Sequence, residues 1–305
     1  MTDPDQLAAV PAFPDTRPVA CTDAALFRTL LARRPCISSV YSFTNIYTWR
    51  TTDHTRLTSL DGALLVSDCL DGATVEYLEP LGVADPAAVL RRLAVHPAAP
   101  QRWCGKFITA GTAAALADTP QFILTRDPNH DDYVYTATDL IELPGRKYDS
   151  KRNHLNRLRR ELSYDYVPLT PDTAPLFRDF AGAWCRAHGC ADSPDLQREY
   201  AAIAEMLANP CGLGLSGGAI RSDGRLLAIT LGEHLTADTF VVYVEKADTT
   251  VDGLYQLINQ EFAAHAAAGA VYINREQDLG IPGLRRAKQS YHPHHMVEVY
   301  RLTVR

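Results

Sequence analysis

Seven Lys and Arg residues against one Asp crowd the segment GRKYDSKRNHLNRLRR at 145–160, a local charge of +6 in a chain whose formal charge is −6. Leu155, Leu158 and Leu162 recur there at helical spacing, and Ser150 is placed to cap a helix that begins at Lys151. Arg146, Lys147, Lys151, Arg152 and Asn153 then surround the start of that helix, where unpaired N–H groups and a partial positive charge favour an anion. Phosphate or carboxylate recognition is the chemistry such a cluster can do. A solvated basic helix face is the competing reading.

A second cluster, YINREQDLGIPGLRRAKQSY at 272–291, reads as a strand end, a loop and a helix opened by Pro282. Glu276 and Asp278 are its only acids, set among Arg275, Arg285, Arg286 and Lys288. A carboxylate so placed can deprotonate or orient a nucleophilic amine or hydroxyl, which makes Glu276 and Asp278 the candidate catalytic pair. Asn274, Arg275, Arg285, Lys288 and Tyr291 are the candidate substrate contacts, the cations holding an anionic group. An ion-pair network tying loop to helix is the alternative. In a third segment a strand ends in Glu245-Lys246 and Gly253 opens a helix, so Lys246 joins the candidates for phosphate. Glu276 and Asp278 are expected to share a cleft with the basic helix, far as they lie from it in sequence.

Other chemistries find less support. Cys185, His188 and Cys190 lie close together, as do His292, His294 and His295, but neither group supplies the second ligand pair that zinc needs, and no metal is expected. Cys185 reads as a small buried helix residue. The sequence holds no Walker loop.

The elements that must carry these residues follow from period and turn chemistry. TRLTSLDGALLVSDCLDGATVEYLEPLG at 55–82 is an antiparallel meander with Asp-Gly turns at 61–62 and 71–72. A helix over 85–95 opens at Asp85-Pro86, and WCGKFIT, AALAD and QFILT continue as strand, helix and strand. DYVYTATDLIELPG at 132–145 reads as one strand ending at Pro144-Gly145. Beyond it come a strand at 163–170, helices at 172–188 and 194–208, a hairpin about Asp223-Gly224 and the strand TFVVYVEKA at 239–247. A helix from Gly253, the short strand VYIN at 271–274, a helix from about Pro282 to Tyr291 and a single last strand, MVEVYRLTV, complete the chain. The order of hairpin, strand, helix and strand occurs twice without an alignable repeat. It predicts two similar α+β domains, 1–145 and 146–305.

The chain has 305 residues, 46% hydrophobic and 22% charged, the composition of a globular protein with room for two cores. An acidic balance gives no global pull toward DNA or anionic membranes, so any polyanion site must be local. The longest apolar runs, such as FVVYV at 240–244, fall far short of the roughly 18 residues that span a bilayer. The acidic, Pro-broken start MTDPDQLAAVPAFPD lacks the features of a secretory signal, and seven scattered cysteines fit free thiols, so a cytoplasmic protein is expected.

FTNIYTWR at 43–50, DYVYTATDLIELPGRKYDSKRNHLNRL at 132–158, GEHL followed by VEKA, GLYQLIN, and YINREQDLGIPGLRRAKQSY together resemble the phosphatidylglycerol lysyltransferase C-terminal-domain family, over about 25 to 304. The resemblance implies two tandem GNAT-like domains, each a mixed, mostly antiparallel sheet flanked by helices, related to Fem-type aminoacyltransferases that use aminoacyl-tRNA as donor. The loop after Lys246, ADTTVDG, lacks the Q/R-x-x-G-x-G/A phosphate loop of CoA-dependent GNAT enzymes, which ranks acetyl-CoA below aminoacyl-tRNA and leaves no bound cofactor expected. The lipid-modifying members carry a large transmembrane portion not found in this sequence, so a small-molecule or peptide acceptor is favoured over a membrane lipid.

The expectation is therefore an acyltransferase that moves an aminoacyl group from aminoacyl-tRNA to an amine or hydroxyl. The alternatives are a non-catalytic module that binds an anion or an RNA end, and a CoA-dependent N-acyltransferase. The Glu276/Asp278 pair separates catalysis from binding, because anion binding gains nothing from carboxylates beside the phosphate.

Overall fold

A computed structural model describes residues 5–34, 38–69, 71–267 and 269–305. The extreme N-terminus and Cys36 lie outside that set, as does the side chain of Cys211. The chain forms two compact units, one of residues 1–131 and 297–305, the other of residues 132–296. The division expected at residue 146 thus falls inside the second unit, and the end of the chain belongs to the first.

Strand pairing explains both differences. In chain order the strands are β1 (Arg17–Pro18), β2 (Arg56–Leu60), β3 (Ala63–Asp68), β4 (Val75–Tyr77), β5 (Trp103–Thr109), β6 (Phe122–Arg126), β7 (Asp132–Thr136), β8 (Asp165–Pro168), β9 (Ser216–Ser222), β10 (Arg225–His234), β11 (Thr239–Ala247), β12 (Tyr272–Asn274), β13 (His295–Val297) and β14 (Val299–Val304). One sheet has the order β1-β2-β3-β4-β5-β14-β6, and the other, read from its far edge, β8-β9-β10-β11-β12-β7-β13. In each, three antiparallel pairings lead to one parallel pair, β4 with β5 or β11 with β12, and the next strand is antiparallel. The two halves therefore repeat one topology, and each sheet takes its sixth strand from the other half of the sequence.

Three local readings are corrected. Residues 132–145 are not one strand: β7 ends at Thr136, whose hydroxyl accepts the Asp139 N–H at 3.1 Å and caps a helix over Ala137–Glu142. The basic helix is Asp149–Glu161, so Ser150 lies in its first turn instead of capping it. Entry is set by Tyr148, fully buried, whose hydroxyl donates to the Tyr291 carbonyl at 2.6 Å. The last strand is two, β13 and β14 in different sheets, and at the break the buried Asp131 carboxylate takes the Val299 N–H at 3.1 Å. The cysteines are also not all thiols. Cys185 and Cys190 are disulfide-bonded with Cα atoms 5.3 Å apart, because Gly189, at φ 73°, turns the chain back after the helix Ala174–Ala187.

In the second unit, helices cover both sheet faces. The helix Leu254–Ala266 buries Leu254, Leu257, Ile258 and Phe262 against Phe240, Val242 and Ile273. Ala174–Ala187 and Pro194–Ala208 bury Phe177, Ile203 and Met206 against Ile229, Leu231 and Val244. Phe240 and Val242 serve the first face and Val244 the second, because a bulge places both Val242 and Val244 opposite the consecutive pair Leu231 and Gly232, with Tyr243 between. Gly232 permits it: a Cβ there would lie 2.2 Å from the Val241 carbonyl oxygen. Gly232→Ala is expected to destabilise the protein by about 1–3 kcal/mol in urea denaturation. Gly111→Ala, at a helical position with nothing within 4 Å, is expected to be neutral or slightly stabilising in the same measurement.

Candidate functional site

The bulge decides which charged residue of β11 faces the helix Leu254–Ala266. Unbroken alternation from Phe240 and Val242 would put Lys246 on that face; the extra residue puts Glu245 there instead. Glu245 accepts from Asn259 Nδ2 at 3.1 Å and pairs with the Arg275 guanidinium. Lys246, on the opposite face, binds both Glu199 carboxylate oxygens at 2.7 Å and lies 4.1 Å from the Trp184 ring, so it does not join the other candidates.

Arg275 follows directly on β12, which pairs with β11 only over Thr239–Val241. Beyond that point the two strands are no longer bonded, and Arg275, Glu276 and Lys288 gather there. The Arg275 side chain is 12% exposed. Its Nη2 meets Glu245, while the buried Nε and Nη1 have no hydrogen-bond partner among the described residues. The rings of Tyr291 and Tyr135 lie 5.1 and 5.9 Å from its centre. Burial opposes the charge, but Glu245 together with Tyr135 and Tyr291 outweighs it and keeps Arg275 protonated.

Lys288, 7% exposed, donates to the Arg275 carbonyl, and Tyr135 donates to the Lys288 carbonyl at 2.8 Å. Burial, reinforced by Arg275, pulls its ammonium well below the ordinary lysine range, against the opposing charges of Glu276, Glu245 and Asp132. Glu276 sits in left-handed backbone at φ 56°, its N–H bonded to Asn274 Oδ1 at 2.8 Å. Asn274 in turn donates to Asp132 at 2.9 Å.

Asp278 is fully buried and fully engaged. It accepts from Tyr133 at 2.6 Å, from Arg285 Nε at 2.7 Å and Nη2 at 2.8 Å, and from the Gly280 N–H at 2.8 Å. Against the cost of burial, these donors, Arg285 foremost, hold its pKa at about 2. The clasp fixes the loop from Asp278 to Arg285 and places the carboxylate among structural partners.

Most of the basic run is used locally. Arg152 donates to the carbonyls of Leu143 and Gly145 and pairs with Asp149; Lys147 reaches Asp139 at 3.3 Å; Arg157 and Arg159 pair with Asp252 and Glu261. Arg146 and Asn153 are exposed. Lys151 is the candidate of this segment that reaches the second cluster: its Nζ donates to Ser290 at 2.7 Å and lies 3.8 Å from the Tyr291 ring centroid. Burial, and then Arg275, lower its pKa to about 8. The start of the basic helix and the 272–291 segment thus meet within one unit.

Sequence reading gave no role to Glu245, Tyr133, Tyr135, Tyr148 or Ser290. Gly232, a glycine inside a strand, is the signal that could have exposed the bulge and with it Glu245.

The first unit supplies a comparison. Tyr77 and Val241 pair in parallel with Gly105 and Asn274, so Lys106 stands where Arg275 does, and Phe107 where Glu276 does, with φ of 54° and 56°. Lys106 is met by Asp68 at 2.6 Å and Glu76 at 3.5 Å. Arg275 has one carboxylate and two unpartnered nitrogens.

Residues 30–303 match the family described as phosphatidylglycerol lysyltransferase, C-terminal. A conserved protein of unknown function from Bacteroides thetaiotaomicron is 34% identical, with a TM-score of 0.88 over 95% of this chain and 99% of that one. L-PGS from Bacillus licheniformis is 14% identical with a TM-score of 0.63 over 92% of each chain, and FemX is 10% identical with a TM-score of 0.59 over 95% and 97%. These two share the fold. No curated protein matches the sequence.

Asp278→Asn is expected to lower stability by about 1–3 kcal/mol at pH 7, since an amide cannot accept from all four donors. The carboxylate's low folded pKa means that its stabilisation is present above the ordinary value of 3.8 and is lost as pH falls through about 2. Thermal unfolding followed by circular dichroism from pH 6 to 2 should show a shallower acid decline in the variant.

Proposed function

Since the chain belongs to the phosphatidylglycerol lysyltransferase C-terminal family, we propose that it transfers an aminoacyl group from aminoacyl-tRNA to the amine or hydroxyl of a small-molecule or peptide acceptor. The reaction is assigned to the splay between β11 and β12. The observation that carries this reading is the buried Arg275 and Lys288 pair, with guanidinium N–H groups left open where the equivalent Lys106 is neutralised twice.

The acceptor's nitrogen or oxygen attacks the ester carbonyl of the donor; a bond forms to that carbon and the bond from it to the ribose oxygen breaks. Lys288, whose lowered pKa suits proton exchange near neutrality, gives a proton to the departing oxygen. Glu276, whose charge acts on Lys288, takes the proton that the acceptor loses. Negative charge that develops on the carbonyl oxygen is stabilised by the same ammonium in a site of low dielectric. Asp278, with a pKa of about 2, is a weak base and serves to position the loop that carries Glu276 and Arg285. Fem-type relatedness supports tRNA as the donor's carrier, and the departure of ADTTVDG from the CoA loop argues in the same direction.

The test uses a tRNA pool charged with radiolabelled amino acids, offered with a protein-free small-molecule extract. Label should move from tRNA to a new product. Lys288→Met should reduce the rate by about 100-fold or more. Asp278→Asn should act chiefly on stability. Binding of the tRNA pool without transfer by the wild-type protein would instead support the non-catalytic module.

A further inference from the structure

The cations of the second unit are not all explained by transfer at Lys288. Lys151 reaches the same cluster from the first turn of the helix Asp149–Glu161, and its surroundings are unusual for a lysine. Among the described residues it pairs with no carboxylate; its Nζ donates to Ser290 Oγ at 2.7 Å and stands 3.8 Å from the Tyr291 ring centroid. The Ser290 hydroxyl spends its own proton on the Ala287 carbonyl at 2.6 Å, so it serves as a fixed acceptor that aims Lys151. The Tyr291 ring is shared with the Arg275 guanidinium, 5.1 Å from the same centroid. Tyr291 is itself held by the Tyr148 hydroxyl on its carbonyl.

Two like charges are thus held beside one ring with Glu245 as the carboxylate in contact, and Glu245 reaches only Arg275 Nη2. Their mutual repulsion is visible in Lys151, whose charged form is disfavoured first by burial and then by Arg275. The Arg275 Nε and Nη1 groups are buried without partners. Each such orphaned donor costs free energy, and the arrangement persists with the Lys151 ammonium aimed by a serine and the Arg275 guanidinium by a glutamate. In the first unit the corresponding Lys106 carries no such debt.

We propose that Lys151 and Arg275, aimed by Ser290 and Glu245 over the Tyr291 ring, form an oxyanion subsite that holds a phosphate group of the substrate. Lys151 retains two N–H donors beyond its bond to Ser290, and Arg275 carries three on Nε and Nη1, buried beside the Tyr135 and Tyr291 rings. Phosphate, with its several terminal oxygens, can use them together, whereas the two oxygens of a carboxylate leave donors unmet. Binding joins Lys151 and Arg275 through an anion and replaces their repulsion with attraction to it. The inference deepens the transfer reading by giving the substrate a phosphate at this position, and its test measures binding alone.

Inorganic phosphate is titrated into the full chain by calorimetry, and the Lys151 side chain is followed by NMR with its signal assigned from Lys151→Met. Phosphate should raise the Lys151 titration midpoint from about 8 toward the ordinary lysine value of 10.5. Lys151→Met and Arg275→Lys should each weaken phosphate binding by about tenfold to a hundredfold. Arg221→Ala, which removes one half-buried charge paired with Asp165 elsewhere in the unit, should leave it unchanged. Circular dichroism confirms that each variant is folded, and Ser290→Ala, which keeps both cations, should weaken binding more modestly. Phosphate that leaves the Lys151 midpoint unmoved, or binds Lys151→Met as tightly as wild type, overturns the proposal; so does acetate binding as tightly as phosphate. A protein that binds phosphate in this manner yet transfers no aminoacyl group upholds the subsite and removes the transfer reading.

Discussion

One guanidinium taken out of water organises the second unit. Moving a charge into a protein interior costs several kcal/mol unless partners restore what water supplied. Arg275 recovers part of that cost from Glu245 and from the faces of Tyr135 and Tyr291. The tyrosines are themselves fastened: Tyr135 donates to the Lys288 carbonyl, and Tyr148 to the carbonyl of Tyr291. Lys288 closes the ring by donating to the Arg275 carbonyl. The helix Pro282–Gln289, the strand β7 and the entry to the basic helix are thereby tied to one side chain.

A backbone irregularity sets that arrangement. The bulge at Tyr243 turns Glu245 to the side of the sheet where Arg275 lies, and it can exist because Gly232 has no Cβ to strike the Val241 carbonyl. A one-residue change of phase along a strand exchanges every later side chain between faces. Here it exchanges a lysine for a glutamate, and with it the sign of the charge offered to the cluster.

The two halves repeat one topology with different electrostatics. Lys106 and Arg275 occupy the same register position after the parallel strand pair, and the next residue in each has the same left-handed backbone. Asp68 and Glu76 make the first position a closed ion network; His234 and Phe240 stand at the corresponding positions of the second. Without acids at those two positions, the Arg275 guanidinium keeps two nitrogens with no hydrogen-bond partner among the described residues. The Asp278 clasp gives the adjoining loop a fixed shape.

Much was legible in the amino-acid order because it depends on neighbours in sequence. Asp-Gly turns, the 3.6-residue stripe of Leu155, Leu158 and Leu162, and the Pro-opened helix at 282 are local matters, and they place the elements within a few residues. The duplicated α+β order followed from them. Ser150 and the 132–145 strand were misread for a reason of the same scale, since Thr136 and Tyr148 offered competing ends. The site is a different matter. Whether Arg152 binds a ligand or its own carbonyls, whether Lys246 or Glu245 faces the cluster, and whether Asp278 is a base or a clasp all depend on partners that no helical or strand period identifies: Leu143, Gly232, Tyr133 and Arg285. Charge acts through space and burial, so the sequence could say which side chains are charged, while folding decided which of them found partners.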